Sequence, residues 1–388
     1  MIYNRRDVLR IIAKTLDCSE DQLTNESGLT RTLNWDSLNH VMILSSIEDY
    51  FDIKIIDEKF PILTSIEKIM KYLDEYQRLN CINDGKCECG NSCYSEKRIT
   101  FTGKGGIKLV GIYCFTKQEP KGFILFSHGI PSEKDEAGLH RNMATYFAQG
   151  GYDSFRFDFR YMGESEPGSE SLLSIDNMID DLESAYNISL HNPFDEEIIS
   201  RDLKNSNQFM VGTSCGSGVI LKWINKYYHS KSIKSVFLCC PVLDYVYECT
   251  GIEKANIAVQ ENKILLDIDR LGYIDDRDTK YGKRFFENAL QFDIDYEAEK
   301  YKGKIVIFHG NKDQFIPIEI SKRFEIAHKK YVDMIEIDWA RHGFGLPLVD
   351  KAGNSLTNEV RYKLKMKNQG DIIHSIFCSI RGVDNADN

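Results

Sequence analysis

Two serines in this chain have the neighbours that acyl-group chemistry requires, and they lie far apart in the sequence. Ser214 stands in Gly212-Thr213-Ser214-Cys215-Gly216, directly after the apolar run Phe209-Met210-Val211. A serine hydroxyl attacks poorly at neutral pH unless a base takes its proton and a third group orients that base. The sequence must then supply a carboxylate and a histidine from loops. Asp313 follows the apolar run Ile305 to Phe308 within His309-Gly310-Asn311-Lys312-Asp313, and Asp244 after an earlier run is the alternative acid. Of the nine histidines, His342 in Arg341-His342-Gly343-Phe344-Gly345 follows the last strand-like run and is flanked by glycine.

A tetrahedral intermediate at Ser214 needs backbone donors for its oxyanion. Ser127-His128-Gly129-Ile130-Pro131 ends an apolar run in a glycine turn, so the amides of Ile130 and Cys215 are the expected pair, with His128 structural. Cys215 is itself a nucleophile type, but centring the turn on it puts Thr213 where the first glycine belongs. Its expected contribution is the amide and not the thiol. The second serine, Ser37, lies in Trp35-Asp36-Ser37-Leu38 at the head of a helical segment, where the competing reading is a plain helix cap.

The elements that position these residues fall into two kinds. Over residues 1–78, Val8, Ile11, Ile12 and Leu16, then Val41, Leu44, Ile47 and Phe51, then Ile66, Ile69, Met70 and Leu73 repeat at helical spacing, predicting a small all-α bundle. Residues 79–98 are polar and aperiodic and read as a linker, which if flexible has a root-mean-square span of about 25 Å. From residue 99 to 388, short apolar runs alternate with helical stretches, predicting a mainly parallel sheet with helices on both faces. Ile99 to Phe115 reads as an antiparallel edge hairpin turning at Gly103, Gly105 and Gly106. The rhythm stops over residues 241–301, which predicts a helical lid.

Composition narrows the classes. At 388 residues two folded units are expected, and 49 basic against 59 acidic residues, a formal charge of -10, argue against nucleic acid as a partner. No apolar run reaches membrane-spanning length, and the basic N-terminus is interrupted by Arg10 and Lys14, so neither membrane nor secretory signal is expected. Eleven cysteines, several inside apolar runs, fit reduced thiols in the cytoplasm. Cys81, Cys87, Cys89 and Cys93 cluster in the linker without paired Cys-x-x-Cys knuckles, so no metal is expected.

With the serine elbow, the His128-Gly129 turn, Asp313 and His342 in the order Ser, Asp, His, residues 99–388 resemble the α/β-hydrolase superfamily. The loop Asp158 to Ser165 departs from many relatives in carrying Tyr161 where they have glycine. Residues 1–78 resemble an acyl or peptidyl carrier protein, with Trp35 where many relatives have glycine. That resemblance implies a 4'-phosphopantetheine arm on Ser37 and an acidic partner face of Glu48, Asp49 and Asp52. It also implies a phosphopantetheinyl transferase and upstream acyl-loading enzymes as partners. The combined expectation is a thioesterase that frees a carrier-bound acyl group through acyl-Ser214. An acyltransferase or cyclase, or a non-catalytic docking scaffold, are the alternatives.

Overall fold

A computed structural model describes residues 5–51, 55, 60–73, 94–117, 119–190, 203, 206–227, 232–276, 279–349, 351, 353 and 355–386. The chain divides into two compact units, Met1–Ser92 and Cys93–Asn388. The linker cysteines Cys81, Cys87, Cys89 and Cys93 lie outside the described residues.

In the first unit α1 (Arg5–Leu16), α2 (Ser37–Phe51) and α3 (residues 66–73) enclose a core containing Val8, Ile12, Ile47, Phe51, Ile66 and Leu73. The apolar stripe of α2 differs from expectation at one position: Ile43 is fully buried, whereas Val41 is 47% exposed. At about 100° per residue, Ile43, Leu44, Ile47 and Phe51 share a narrow arc and Val41 falls beyond its edge. Trp35 fills the same core. Its indole N–H donates to Nδ1 of the buried His40 at 3.1 Å, and the other ring nitrogen of His40 bonds the Phe60 carbonyl at 2.9 Å.

The second unit opens with β1 (Tyr94–Thr102) and β2 (Lys108–Thr116), an antiparallel pair at the sheet edge. Tyr94 to Arg98, read from sequence as linker, therefore belong to a strand. Their polarity hid it: at an open edge the charged side chains find partners on neighbouring elements, Glu96 with Arg156 at 2.9 Å and Arg98 with Glu164 at 2.6 Å. There follow β3 (Gly122–Ser127), α4 (Leu139–Gln149), β4 (Tyr152–Asp158), α5 (Ile175–Leu190), β5 (Asn207–Thr213), α6 (Cys215–Lys226) and β6 (Ile233–Cys239). After the inserted region come β9 (Lys304–Gly310), α11 (Ile318–Ala327), β10 (Val332–Ile337) and α12 (Asn358–Ala386).

The sheet order is β1-β2-β4-β3-β5-β6-β9-β10, parallel from β4 to β10. Every residue of β3 and β4 is buried, because helices cover both faces and leave no wet side for polar alternation. Phe123 and Leu125 join the core formed with α5 and α6, while the alternate residue Phe126 stacks on Phe147 of α4, which stacks on Phe377 of α12.

The insertion over residues 241–301 holds α7 (Tyr245–Thr250), α8 (Glu261–Leu271), a hairpin of β7 (Tyr273–Asp276) and β8 (Thr279–Gly282), α9 (Lys283–Gln291) and α10 (Ile294–Lys300). The hairpin was not legible in the sequence, since strands of four residues carrying Asp275 and Asp276 show no usable apolar period. No described helix is long and apolar enough to cross a membrane.

Candidate active site

Parallel strands end on one side of an open sheet, and the loops beyond β3, β5, β6, β9 and β10 bring the predicted residues of the second unit there. Ser214 links β5 to α6 with φ 49° and ψ -124°, a backbone conformation that side chains other than glycine rarely adopt. The turn is braced from three directions. The Ser214 N–H donates to the Cys239 carbonyl at 2.9 Å, and its own carbonyl accepts from Ser217 and Val242 at 3.0 Å.

The flanking glycines permit the close approach this requires. A Cβ on Gly216 would stand 2.4 Å from the carbonyl oxygens of Ser127 and His128, and one on Gly129 would stand 2.9 Å from Cβ of Ser214. The turn after β3 is thereby pressed against the serine. His128 is buried there, and its Nε2 accepts the Phe159 N–H at 3.0 Å, so the ring proton sits on Nδ1 and is donated to the Gly129 carbonyl at 2.7 Å. Burial lowers the His128 pKa to about 4, which keeps the ring neutral and structural. The Ile130 N–H meets no acceptor among the described residues.

Asp313 lies in the turn after β9 with its side chain fully buried. One carboxylate oxygen accepts the N–H groups of Phe315 and Ile316 at 2.9 and 3.0 Å. The other lies 2.7 Å from Nδ1 of His342 and 3.3 Å from Nε2 of His309. Burial alone would raise this carboxyl, but its bonds with His309, His342 and the Ile316 backbone hold it well below the usual carboxylate range. His342 is the mirror case. Burial pulls it down, yet the hydrogen bond and charge of Asp313, with the charges of Glu248 and Glu136, leave its pKa raised.

The alternative acid is occupied elsewhere. Asp244 caps α7, accepting from Val246 and Tyr247 at 3.0 Å and from Lys254 at 2.8 Å. The Cys215 thiol is fully buried and burial pushes its pKa far up, which leaves it protonated. Its backbone carbonyl accepts the hydroxyl of Tyr245, which ties α7 of the inserted region to α6.

Four neighbours of the site escaped sequence reasoning. His309 supports Asp313, and Cys240 places its thiol within 4.8 Å of the Asp313 and His342 ligand atoms, where burial and the Asp313 charge push it up. Glu248, buried in the inserted region, accepts from Tyr281 at 2.7 Å. Glu136 bonds the Gly129 N–H at 2.7 Å. A single acidic residue in Glu133-Lys134-Asp135-Glu136 carries no sequence signal, since such runs usually face solvent. The loop departure at Tyr161 is accommodated: it holds φ 69°, the left-handed conformation that suits glycine.

In the first unit Ser37 is the first residue of α2 and exposed. The cap is Asp36, whose carboxylate accepts the Asn39 N–H at 2.8 Å, so the Ser37 hydroxyl is not consumed in holding the helix end. An accessible hydroxyl at the head of a braced helix fits covalent attachment of an arm. The surface beside it is apolar, with Leu38, Val41 and Met42 at 70%, 47% and 50% exposure. Of the expected acidic face, Glu48 turns inward to accept the Ile55 N–H at 2.7 Å, while Asp52 and the Asp49 side chain lie outside the described residues.

Comparison with known proteins gives separate matches for the two units. The family described as serine aminopeptidase, S33, matches residues 118–264. In the N-terminal region the chain is 38% identical over 71 residues to the acyl carrier protein of Buchnera aphidicola, covering 18% of this chain and 91% of that protein. Est1E from Butyrivibrio proteoclasticus, solved with ferulic acid bound, superposes with a TM-score of 0.52 at 15% identity, covering 72% of this chain and 99% of its own. A hypothetical protein from Pseudomonas aeruginosa also reaches 0.52 at 15% identity, covering 65% and 88%. At these identities the two structures speak for the fold alone.

Proposed function

Because this chain belongs to the acyl carrier proteins through its first unit and carries a serine α/β-hydrolase as its second, we propose that it is a carrier-linked thioesterase of a biosynthetic pathway. The observation that carries the reading is the 2.7 Å bond between Asp313 and His342, taken with a serine held on a strained strand-to-helix turn of the same unit. Ser37 would hold a phosphopantetheine arm, whose thiol would carry the acyl group as a thioester.

Ser214 attacks the acyl carbonyl through Oγ while His342 takes its proton, and Asp313 orients the ring and stabilises the imidazolium. The amides of Ile130 and Cys215 receive the oxyanion. As the intermediate collapses, His342 gives its proton to the leaving group, which would be the arm's thiol, and acyl-Ser214 remains; water activated by His342 then frees a carboxylic acid. The lid over residues 241–301 decides whether water enters. A transferase with an amine or alcohol acceptor shares every step but the last. We place the protein in the cytoplasm, served by a phosphopantetheinyl transferase and by upstream enzymes that load the acyl group.

Intact mass spectrometry after phosphopantetheinylation and acyl loading tests the whole reading. The expected result is an adduct at Ser37 that loses its acyl group in the unchanged protein and retains it in Ser214→Ala. Equal rates in the two proteins overturn the catalytic assignment. Release that waits for an added amine or alcohol replaces hydrolysis by transfer.

A further inference from the structure

The geometry points to Glu136 as a positioning residue that sets the Ile130 oxyanion donor against Ser214, an assignment that rests on Ser214 being the nucleophile. Its two carboxylate oxygens hold the loop at two points: one accepts the Gly129 N–H at 2.7 Å, the other the Ser132 hydroxyl at 3.0 Å. The Gly129 carbonyl is separately held by His128 at 2.7 Å. Both peptide planes that flank Gly129 are therefore pinned. In a trans peptide the N–H points opposite to the C=O, so fixing the Gly129 carbonyl also fixes the direction of the Ile130 N–H.

Position matters because Gly129 abuts the nucleophile, where an added Cβ would lie 2.9 Å from Cβ of Ser214. A shift of this loop by a few tenths of an ångström changes the distance from donor to oxyanion directly. The chain bears a cost to keep the clamp. Glu136 and Ala137 both hold left-handed backbone, φ 48° and 49°, which residues with a side chain rarely adopt. The carboxylate is also without an ion-pair partner among the described residues, since neighbouring Lys134 turns instead to Asp158 and Glu164. Such a carboxylate is costly to keep, and is understandable where its acceptor oxygens do specific work.

Glu136 also acts at a distance on the base. The charges facing His342 are those of Asp313, Glu248 and Glu136, with the Cys240 thiol alongside, and Glu136 in turn faces Glu133 and His342. Each negative charge favours the protonated imidazole. Removing one lowers the pKa of His342, an effect that a merely structural loop residue lacks.

The test compares the full chain with Glu136→Ala, Glu136→Gln and Glu136→Asp, using a short-chain p-nitrophenyl ester for turnover and a fluorophosphonate to label Ser214. Glu136→Ala is expected to lower kcat about 100-fold, the loss typical of one oxyanion donor, with KM little changed. Glu136→Gln keeps an oxygen acceptor for Gly129 but no charge. It is expected to retain kcat within about tenfold while the acidic limb of kcat/KM moves to lower pH, and Glu136→Asp is expected to recover part of the limb position.

Unchanged kcat in Glu136→Ala, or a Glu136→Gln limb at the original pH, overturns the positioning role while leaving the hydrolase reading intact. Absence of Ser214 labelling and ester turnover in the unchanged protein overturns both. Should Glu136→Ala fail to fold, the Glu136→Gln limb decides.

Discussion

At the scale of single residues, the chemistry rests on opposed shifts within one hydrogen-bonded pair. Asp313 is held low and His342 high, so an ion pair forms readily once the base takes a proton. In the proposed mechanism activity requires neutral His342 and is therefore expected to rise with pH through the raised imidazole value. In Asp313→Asn that support is lost and the acidic limb of kcat/KM moves to lower pH, while kcat falls by about 10⁴-fold through loss of the correct tautomer. A pH-rate profile of ester hydrolysis checks both. The same pair shapes stability. A depressed carboxyl contributes above the unfolded carboxylate range and loses its contribution as pH falls through the folded value, so acid unfolding should be less pH-dependent in Asp313→Asn. Of these residues, Ser214, Asp313 and His342 were legible by type and order, whereas the choice of Asp313 over Asp244 needed coordinates. Both are acids that follow strands, and only a three-dimensional neighbour distinguishes a histidine's partner from a helix cap.

At the scale of elements, the elbow works because α6 begins where the turn after β3 arrives. Gly216→Ala places a methyl 2.4 Å from two backbone oxygens that cannot rotate away. It is expected to destabilise the second unit by about 1–3 kcal/mol and to lower kcat by moving the oxyanion loop off the serine; urea unfolding paired with ester turnover measures the two together. The long buried strands declared themselves by unbroken apolar runs. The first five residues of β1 and the β7–β8 hairpin did not, since their side chains are satisfied by partners distant in sequence and carry no period of their own. In α2 the helix was legible but its outward face was not. Val41 is read from its spacing as a core residue and instead joins Leu38 and Met42 in an apolar surface beside Ser37.

At the scale of the whole molecule, the proposed function makes acyl delivery an intramolecular step. Tethering of suitable reach gives a local concentration on the order of 1 mM, so weak docking is enough. Two defective chains separate the effects. Ser37→Ala keeps the hydrolase but carries no acyl group, and Ser214→Ala carries one but cannot release it. Mixed at about 1 µM they are expected to release acid roughly 1,000-fold more slowly than the intact chain, with a rate that grows with concentration. A mixed rate equal to that of the intact chain would show that linkage contributes nothing. The intact chain's own rate constant is expected to be independent of concentration, which quenched-flow or mass spectrometry reads directly.

The sequence by itself determined the division into a helical and an α/β part, and it marked the serine, acid and histidine that the proposed chemistry uses. Those are properties of residue type, spacing and burial period, which are local. Only the tertiary structure decided which aspartate meets His342, that Glu136 reaches back to Gly129, and that the surface beside Ser37 is apolar. The first two depend on which backbone turns the sheet brings together and the third on which arc of α2 its own bundle buries, and a hydrogen bond over 29 residues of chain leaves no trace in the spacing of either partner.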